Sequence, residues 1–198
     1  MTPATRRRTP SLDVEQALLD AAARLLQSEG PDALSVRRIA GEAGVAPMCL
    51  YNRFGGKAGV VEALHRRGFD RLRDTLLAIP AGDPVEELAE ACVRYRAFAL
   101  ANPTVYAVMF DRAPDFAPTE DCILHAGSAF TALSDGVRRA QAADRLVKGD
   151  PIAIAQQVWA ACHGAVSLEL RDLGFVADRE ANYRDLVATV LRGLAATR

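Results

Sequence analysis

The sequence predicts an all-α protein, and three observations carry that reading. Apolar residues recur at three- and four-residue steps along nearly the whole chain, as one buried helix face requires. Sustained period-two alternation is absent, and no Asn-Gly or Asp-Gly pair links two apolar runs as in a hairpin. Proline, glycine and side chains able to cap helices punctuate the chain at helix-length intervals. The 198 residues suit one large domain or two small ones packed together.

The elements follow in order. Val14, Ala17, Leu18, Ala21, Ala22, Leu25 and Leu26 mark a first helix, with Ser11 or Asp13 able to cap it and Gly30-Pro31 stopping it. "SVRRIAGEAG" predicts a second, started by the Ser35 hydroxyl and ended by Gly44. The third begins at Pro47, whose fixed φ suits a first helical position, and ends at Gly55-Gly56; Ala46 at its N-cap offers no capping oxygen. A fourth runs from Lys57 to Ile79, where "IPAGDP" breaks the pattern. Asp83-Pro84-Val85-Glu86 then reads as a cap, a proline and a reciprocal glutamate, opening a helix that reaches Ala101. "TVYAVMF" is a short apolar helix, and Thr119 caps a long one ending near Ala143. Asp150-Pro151 opens "IAIAQQVWAACHGAVSLELRDLG", and a last helix spans 179–196 with Tyr183, Leu186, Val187, Val190, Leu191 and Leu194 along one side. The organisation is three short helices, a linking helix and a bundle of about five.

Composition narrows the function classes. No apolar run approaches the roughly 18 to 20 residues that span a bilayer, so no membrane partner is expected. The N-terminal "MTPATRRRTPSLD" is basic, but no apolar stretch follows it as in a secretory signal. Cys49, Cys92, Cys122 and Cys162 are scattered, which points to reduced thiols in a cytoplasmic protein. The net charge of −1 hides an asymmetry: residues 1–73 carry twelve Arg or Lys against eight Asp or Glu, and residues 74–198 carry twelve against seventeen. A basic first third suits a polyanion.

The second and third helices, joined at Gly44, form a helix-turn-helix pattern, which presents its second helix to a DNA major groove. The same spacing also fits a plain helical hairpin in an all-α enzyme. The stretch "LLDAAARLLQSEGPDALSVRRIAGEAGVAPMCLYNRFGGKAGVVEAL" resembles the DNA-binding domain of the tetracycline-repressor (TetR) family. The matching positions are Ala21-Ala22, Leu25, Gly30, Ser35, Ile39-Ala40, Ala43-Gly44-Val45, Leu50-Tyr51, Phe54 and Lys57; Ala46 and Met48 depart from the family's usual residues.

The resemblance implies roles for individual side chains. Ser35 and Val36 open the second helix near a phosphate, and Arg37 points to a base, where it can pair with guanine O6 and N7. Pro47, Met48 and Cys49 form the base-facing turn of the third helix; Met48 and Cys49 suit apolar contact with a thymine methyl. Tyr51 is expected on a phosphate, with core packing as the alternative, and Asn52 and Arg53 flank it. Lys57 opens the linking helix, where its ammonium and the backbone N–H groups suit a phosphate. Leu50 and Phe54 are expected in the core. Arg6-Arg7-Arg8 in the arm of residues 1–10 either reach a groove or backbone or remain a solvated tail.

"YRAFALANPTVYAVMF" and "WAACHG" resemble a C-terminal domain found in part of the same family and named for its Trp-His-Gly motif. It implies a ligand-sensing and dimerising bundle. Tyr95, Phe98, Tyr106, Met109, Phe130, Trp159 and His163 are the expected lining of a pocket for a small apolar or aromatic ligand; a packed core histidine is the alternative for His163. The last two helices are the expected homodimer interface, with full burial inside one chain as the alternative. Cys122-x-x-His125 and Cys162-His163 lack the ligand density of a metal site, so neither metal nor cofactor is expected.

The fold class is therefore an N-terminal helix-turn-helix domain (11–73), a linking helix, and a C-terminal ligand-binding and dimerisation bundle (74–198). The expected function is a homodimeric repressor on a palindromic operator in double-stranded DNA, released by a small molecule. Two alternatives stand: an all-α enzyme around Trp159, His163 and His125, and a regulator of this type with no ligand.

Overall fold

Most of the helices begin where a proline or a short polar side chain sets the backbone, while α4 starts after Gly56 with no side-chain cap. The computed structural model describes residues 11–111 and 117–196, so the basic arm lies outside the described residues. The order is α1 (Ser11–Glu29), a 3-10 turn (Pro31–Ala33), α2 (Val36–Glu42), α3 (Pro47–Phe54), α4 (Lys57–Leu77), α5 (Pro84–Ala101), α6 (Pro103–Phe110), α7 (Glu120–Ala142), α8 (Pro151–Leu170) and α9 (Arg179–Gly193). An isolated antiparallel bridge between Leu146 and Ala195 is the one β pairing among the described residues. No helix among them is long and apolar enough to cross a membrane.

The caps satisfy N–H groups that a helix start leaves without partners. Ser35 Oγ accepts from the Arg38 N–H at 3.3 Å, Thr119 Oγ1 from Cys122 at 3.3 Å, and Asp150 from Ile152 at 3.0 Å. Asp83 accepts from both Val85 and Glu86. The reciprocal glutamate is Glu87, not Glu86. Its carboxylate accepts from the Gly82 N–H at 2.6 Å and is held there by Arg139 of α7 at 3.0 Å, while Glu86 is exposed. α9 stops at Gly193, short of the predicted 196, where the chain turns into the Leu146–Ala195 bridge.

Two cores form. The first gathers Leu18 and Ala22 of α1, Ile39 of α2, Leu50 of α3, and Val60, Ala63 and Leu64 of α4. The second gathers Phe69 and Leu72 of the same α4 with side chains from α5 to α9. The changeover falls between Leu64 and Phe69, inside α4 and ahead of the predicted boundary at residue 73.

α6 sits over this junction. Its Tyr106 and Met109 belong to the second core, while Val108 packs against the first. A Cβ added at Gly68 of α4 would lie 2.6 Å from the Met109 sulfur and 3.0 Å from Val105 Cγ1, so any larger residue there must displace the Met109 side chain. α7 lies along the other side of α4. Arg66 pairs with Asp121, His125 Nδ1 contacts Asp70 at 2.8 Å, and Thr119 donates to Glu62 at 2.9 Å. Such partly exposed pairs contribute little stability each, but together they fix the α4–α7 register.

Gly68→Ala should therefore destabilise the fold by about 1–3 kcal/mol through overpacking against Met109. Urea unfolding measures this; an unchanged midpoint would mean that α6 yields freely and does not grip α4.

Candidate nucleic-acid interface and ligand cavity

The turn between α2 and α3 holds α3 rigidly. Gly44 has φ +68°, a left-handed conformation that glycine adopts without a Cβ clash. The chain then returns at once, with the Val45 N–H donating to the Ala40 carbonyl at 2.9 Å. Ile39, Ala40 and Leu50 are buried at the helix crossing, and Val45 and Phe54 pack against the same core. Leu50 and Phe54 are thus core residues, as their spacing predicts.

The outer surface carries the rest. Met48 is 63% exposed and Tyr51 51% exposed, which removes core packing as the role of Tyr51. Ser35, Arg37, Pro47, Asn52 and Lys57 are also exposed. Val36 and Cys49 are half-buried and lean on the first core, so each presents only part of its surface outward. Arg53 is half-buried, and its guanidinium donates to the Cys49 carbonyl at 3.4 Å.

Charge on this face is selective. Arg38 pairs with Glu29, and Arg24 pairs with Glu42 at 2.9 Å. Arg37 and Lys57 have no ion-pair partner among the described residues. Their charge is available to an anion, and groups of this kind dominate binding to a phosphate backbone.

In the other half of the molecule, α4, α5, α6, α7 and α8 surround a cavity of about 480 Å³. Phe69, Leu72, Phe130, Leu133, Val158 and Trp159 are among its apolar lining; His65 and Gln156 are among its few polar members. Four of the seven predicted ligand residues line it: Tyr95, Met109, Phe130 and Trp159. Phe98, Tyr106 and His163 do not. Phe98 is buried in the second core, and Tyr106 and His163 stand behind Tyr95. The contribution of α4 was missed. Phe69, Leu72 and Leu76 give this helix an apolar stripe continuing past the first core, a signal legible at three- and four-residue spacing.

Behind the cavity the polar atoms form a chain. The Trp159 indole N–H donates to Tyr95 Oη at 3.3 Å, and the two tyrosine hydroxyls lie 2.8 Å apart. Tyr106 Oη lies 2.7 Å from His163 Nδ1, and Nε2 lies 3.4 Å from the Ser167 hydroxyl. Burial lowers the His163 pKa, so the neutral ring with its proton on Nε2 fits. One direction then satisfies every donor: Trp159 to Tyr95, Tyr95 to Tyr106, Tyr106 to His163 and His163 to Ser167. Burial also raises the pKa of both tyrosines, which keeps them as neutral O–H donors.

This direction makes the two tyrosines unequal. Tyr95→Phe strands the indole N–H and should cost about 1–3 kcal/mol. Tyr106→Phe should cost about 1 kcal/mol or less, because Tyr95 then donates directly to His163 Nδ1, already 2.9 Å away. Urea unfolding of both variants compares them; a larger loss in Tyr106→Phe would reverse the assigned direction.

Two family models match the chain. One, described as bacterial regulatory proteins of the tetR family, covers residues 18–64; the other, a tetracyclin repressor-like C-terminal domain, covers residues 88–190. No curated protein matches. Among solved structures, a protein of unknown function from Rhodococcus sp. RHA1 superposes with a TM-score of 0.85 at 26% identity, covering 98% of this chain and 100% of its own. A TetR-family transcriptional regulator from Haemophilus influenzae gives 0.71 at 18%, over 95% and 100% of the two chains. One from Thermus thermophilus gives 0.67 at 20%, over 88% and 97%. These last two share the fold. With a reading head built around α3, and with the C-terminal model alone matching more than half of its length, the chain belongs to the TetR family of DNA-binding transcriptional regulators.

Proposed function

We propose that the protein is a homodimeric repressor that binds a palindromic operator and is released by a small apolar or aromatic ligand held in the cavity. The observation that carries this reading is α4 itself. Its first residue, Lys57, is exposed directly after α3, and its Phe69 and Leu72 form cavity wall. Residues 11–73 act as the reading domain and 74–198 as the sensing and dimerising domain.

In this reading Arg37 reads a base, Met48 and the exposed part of Cys49 meet thymine methyls, and Pro47 sets the start of α3. Tyr51, Asn52, Ser35 and Lys57 hold phosphates, Val36 positions the start of α2, and Arg53 braces α3. Phosphate contacts fix register, while base contacts carry sequence preference.

The second copy docks on α8 and α9. The outward side of α8 carries exposed Ala153, Ala160, Gly164 and Leu168, small or apolar residues at helical spacing. Nothing lies within 4 Å of a Cβ built at Gly164, so this face has room for a close helix crossing. Two-fold pairing there lets two α3 helices meet half-sites about 34–36 Å apart.

Release needs a ligand that discriminates between two conformations, since equal affinity shifts nothing. A ligand touching Phe69 and Leu72 pushes on α4 directly. Contact with Trp159 and Tyr95 reaches Tyr106 through the hydrogen-bond chain, and α6 carries it to Gly68. His163 therefore acts through Tyr106 and not as cavity wall.

Selection of bound sequences from random duplex DNA by the full-length protein tests the reading; symmetric half-sites are expected, and unselected sequences would contradict it. On the selected duplex, Lys57→Ala should weaken binding and flatten the log–log salt slope by about one unit. Arg37→Ala should cost about 1–3 kcal/mol and relax preference at one base pair per half-site. An equal loss on every sequence would make Arg37 a backbone contact. Trp159 is the only tryptophan, so its fluorescence reports cavity occupancy directly.

A further inference from the structure

A second cleft, of about 250 Å³, lies where α1, α4 and the start of α6 meet. Gly68 forms part of its wall, so it sits where the two cores exchange along α4. Its character is opposite to that of the apolar cavity. No Arg, Lys, Asp or Glu lines that cavity among the described residues, whereas Arg24, Arg67 and Arg71 line this cleft against one carboxylate, Asp20.

Two of these cations have donors to spare. Arg24 is tied to Glu42, and Arg67 spends Nη2 on Asp20 at 2.6 Å. Arg67 Nη1, by contrast, is buried with no hydrogen-bond partner among the described residues. A buried donor in that state costs stability that a bound acceptor recovers. Arg71 lies one helical turn further along α4, on the same side, and is exposed with no ion pair among the described residues. The first turn of α6 closes the cleft with Thr104 and Val105. Asn102 does not cap that turn. Its side-chain amide donates to the Phe98 carbonyl at 2.8 Å, which leaves the N–H groups of the turn outside any side-chain cap.

We propose that this cleft binds the phosphate group of a small metabolite between Arg67 Nη1, the Arg71 guanidinium and the first turn of α6. Guanidinium forks match phosphate oxygens, and two of them one turn apart reach different oxygens of one group. Thr104 adds a hydroxyl, and the N-terminal end of a helix favours negative charge. Asp20 is already matched by Arg67, so the charge that faces the anion is that of Arg71. Gln27 and Asn102 give the rest of the cleft a polar wall, which suits the hydroxyls of a phosphorylated polyol. The apolar cavity offers none of this, so the two sites take ligands of different chemistry. Bound phosphate links α4 to α6 beside Gly68, the contact through which α6 grips the linking helix. The site rests on the cleft's own residues and not on gene control, so a failed operator selection leaves it standing.

The test titrates full-length protein with inorganic phosphate and with glycerol phosphate by isothermal titration calorimetry, against sodium chloride at matched ionic strength. Saturable binding with one site per chain is expected, and bound phosphate should raise the Tm by mass action. Arg71→Ala should weaken binding about tenfold or more, the scale of a hydrogen bond to a charged group, and remove the Tm shift. The Arg71 side chain is exposed, so this variant keeps the fold. Arg67→Lys keeps a cation beside Asp20 but loses the second nitrogen, and should weaken binding as well. A lower Kd for glycerol phosphate assigns a phosphomonoester, and equal values assign free phosphate. No saturable heat with either probe would overturn the site, as would binding that Arg71→Ala leaves unchanged. Binding lost in Lys57→Ala and kept in Arg71→Ala would place the anion on the reading face instead.

Discussion

α4 is packed into two cores at once, and the rest of the molecule depends on that. Val60, Ala63 and Leu64 hold its first half against α1, α2 and α3, and Phe69 and Leu72 hold its second half in the bundle. A continuous helix curves only gently unless its hydrogen-bond ladder is interrupted, so a displacement at one end becomes a displacement or rotation at the other. Gly68 sits between the two packed halves, and the Met109 side chain lies where its Cβ would be. α6 thereby grips α4 at the point where the two cores exchange.

Around this helix the chemistry separates by location. Among the described residues Arg37 and Lys57 stand outside ion pairs, while Arg24 and Arg38 are tied to Glu42 and Glu29. The cavity is apolar where a ligand would touch it, and its polar atoms are drawn back into the chain from Trp159 to Ser167. That chain joins α5, α6 and α8, so an apolar contact at Trp159 has a directional hydrogen-bonded route to α6. Ligand binding also stabilises by mass action, about 2.7 kcal/mol at a hundredfold excess over Kd.

Much of this was legible in the sequence because helix ends leave strong local marks. Pro47, Pro84 and Pro151 each open a helix where predicted, Pro103 opens α6 one residue ahead of the predicted TVYAVMF, and Thr119, Asp83 and Asp150 cap as read. The helix-turn-helix was legible because Gly44 and the buried Ile39 and Leu50 lie close together in the chain. The cavity was less legible because its wall is assembled from five helices. A stripe such as Phe69, Leu72 and Leu76 announces burial but not which partner covers it. The i, i+4 pair Trp159 and His163 share a face, yet only packing decides that Trp159 meets the cavity and His163 meets Tyr106. Glu87 displaced Glu86 as the reciprocal cap for the same reason, through Arg139 on a distant helix.

The central claim is that cavity occupancy moves the reading heads through α4. Ala126 lines the cavity from α7, and Ala126→Phe fills part of it from within, without any ligand. Spin labels on Asn52→Cys in a background with the four native cysteines replaced by serine report the distance between the two reading helices in the dimer. The account predicts that the label distance shifts and operator affinity falls in Ala126→Phe while the dimer persists. An unchanged distance with unchanged affinity, in a dimer whose cavity is filled, would contradict it.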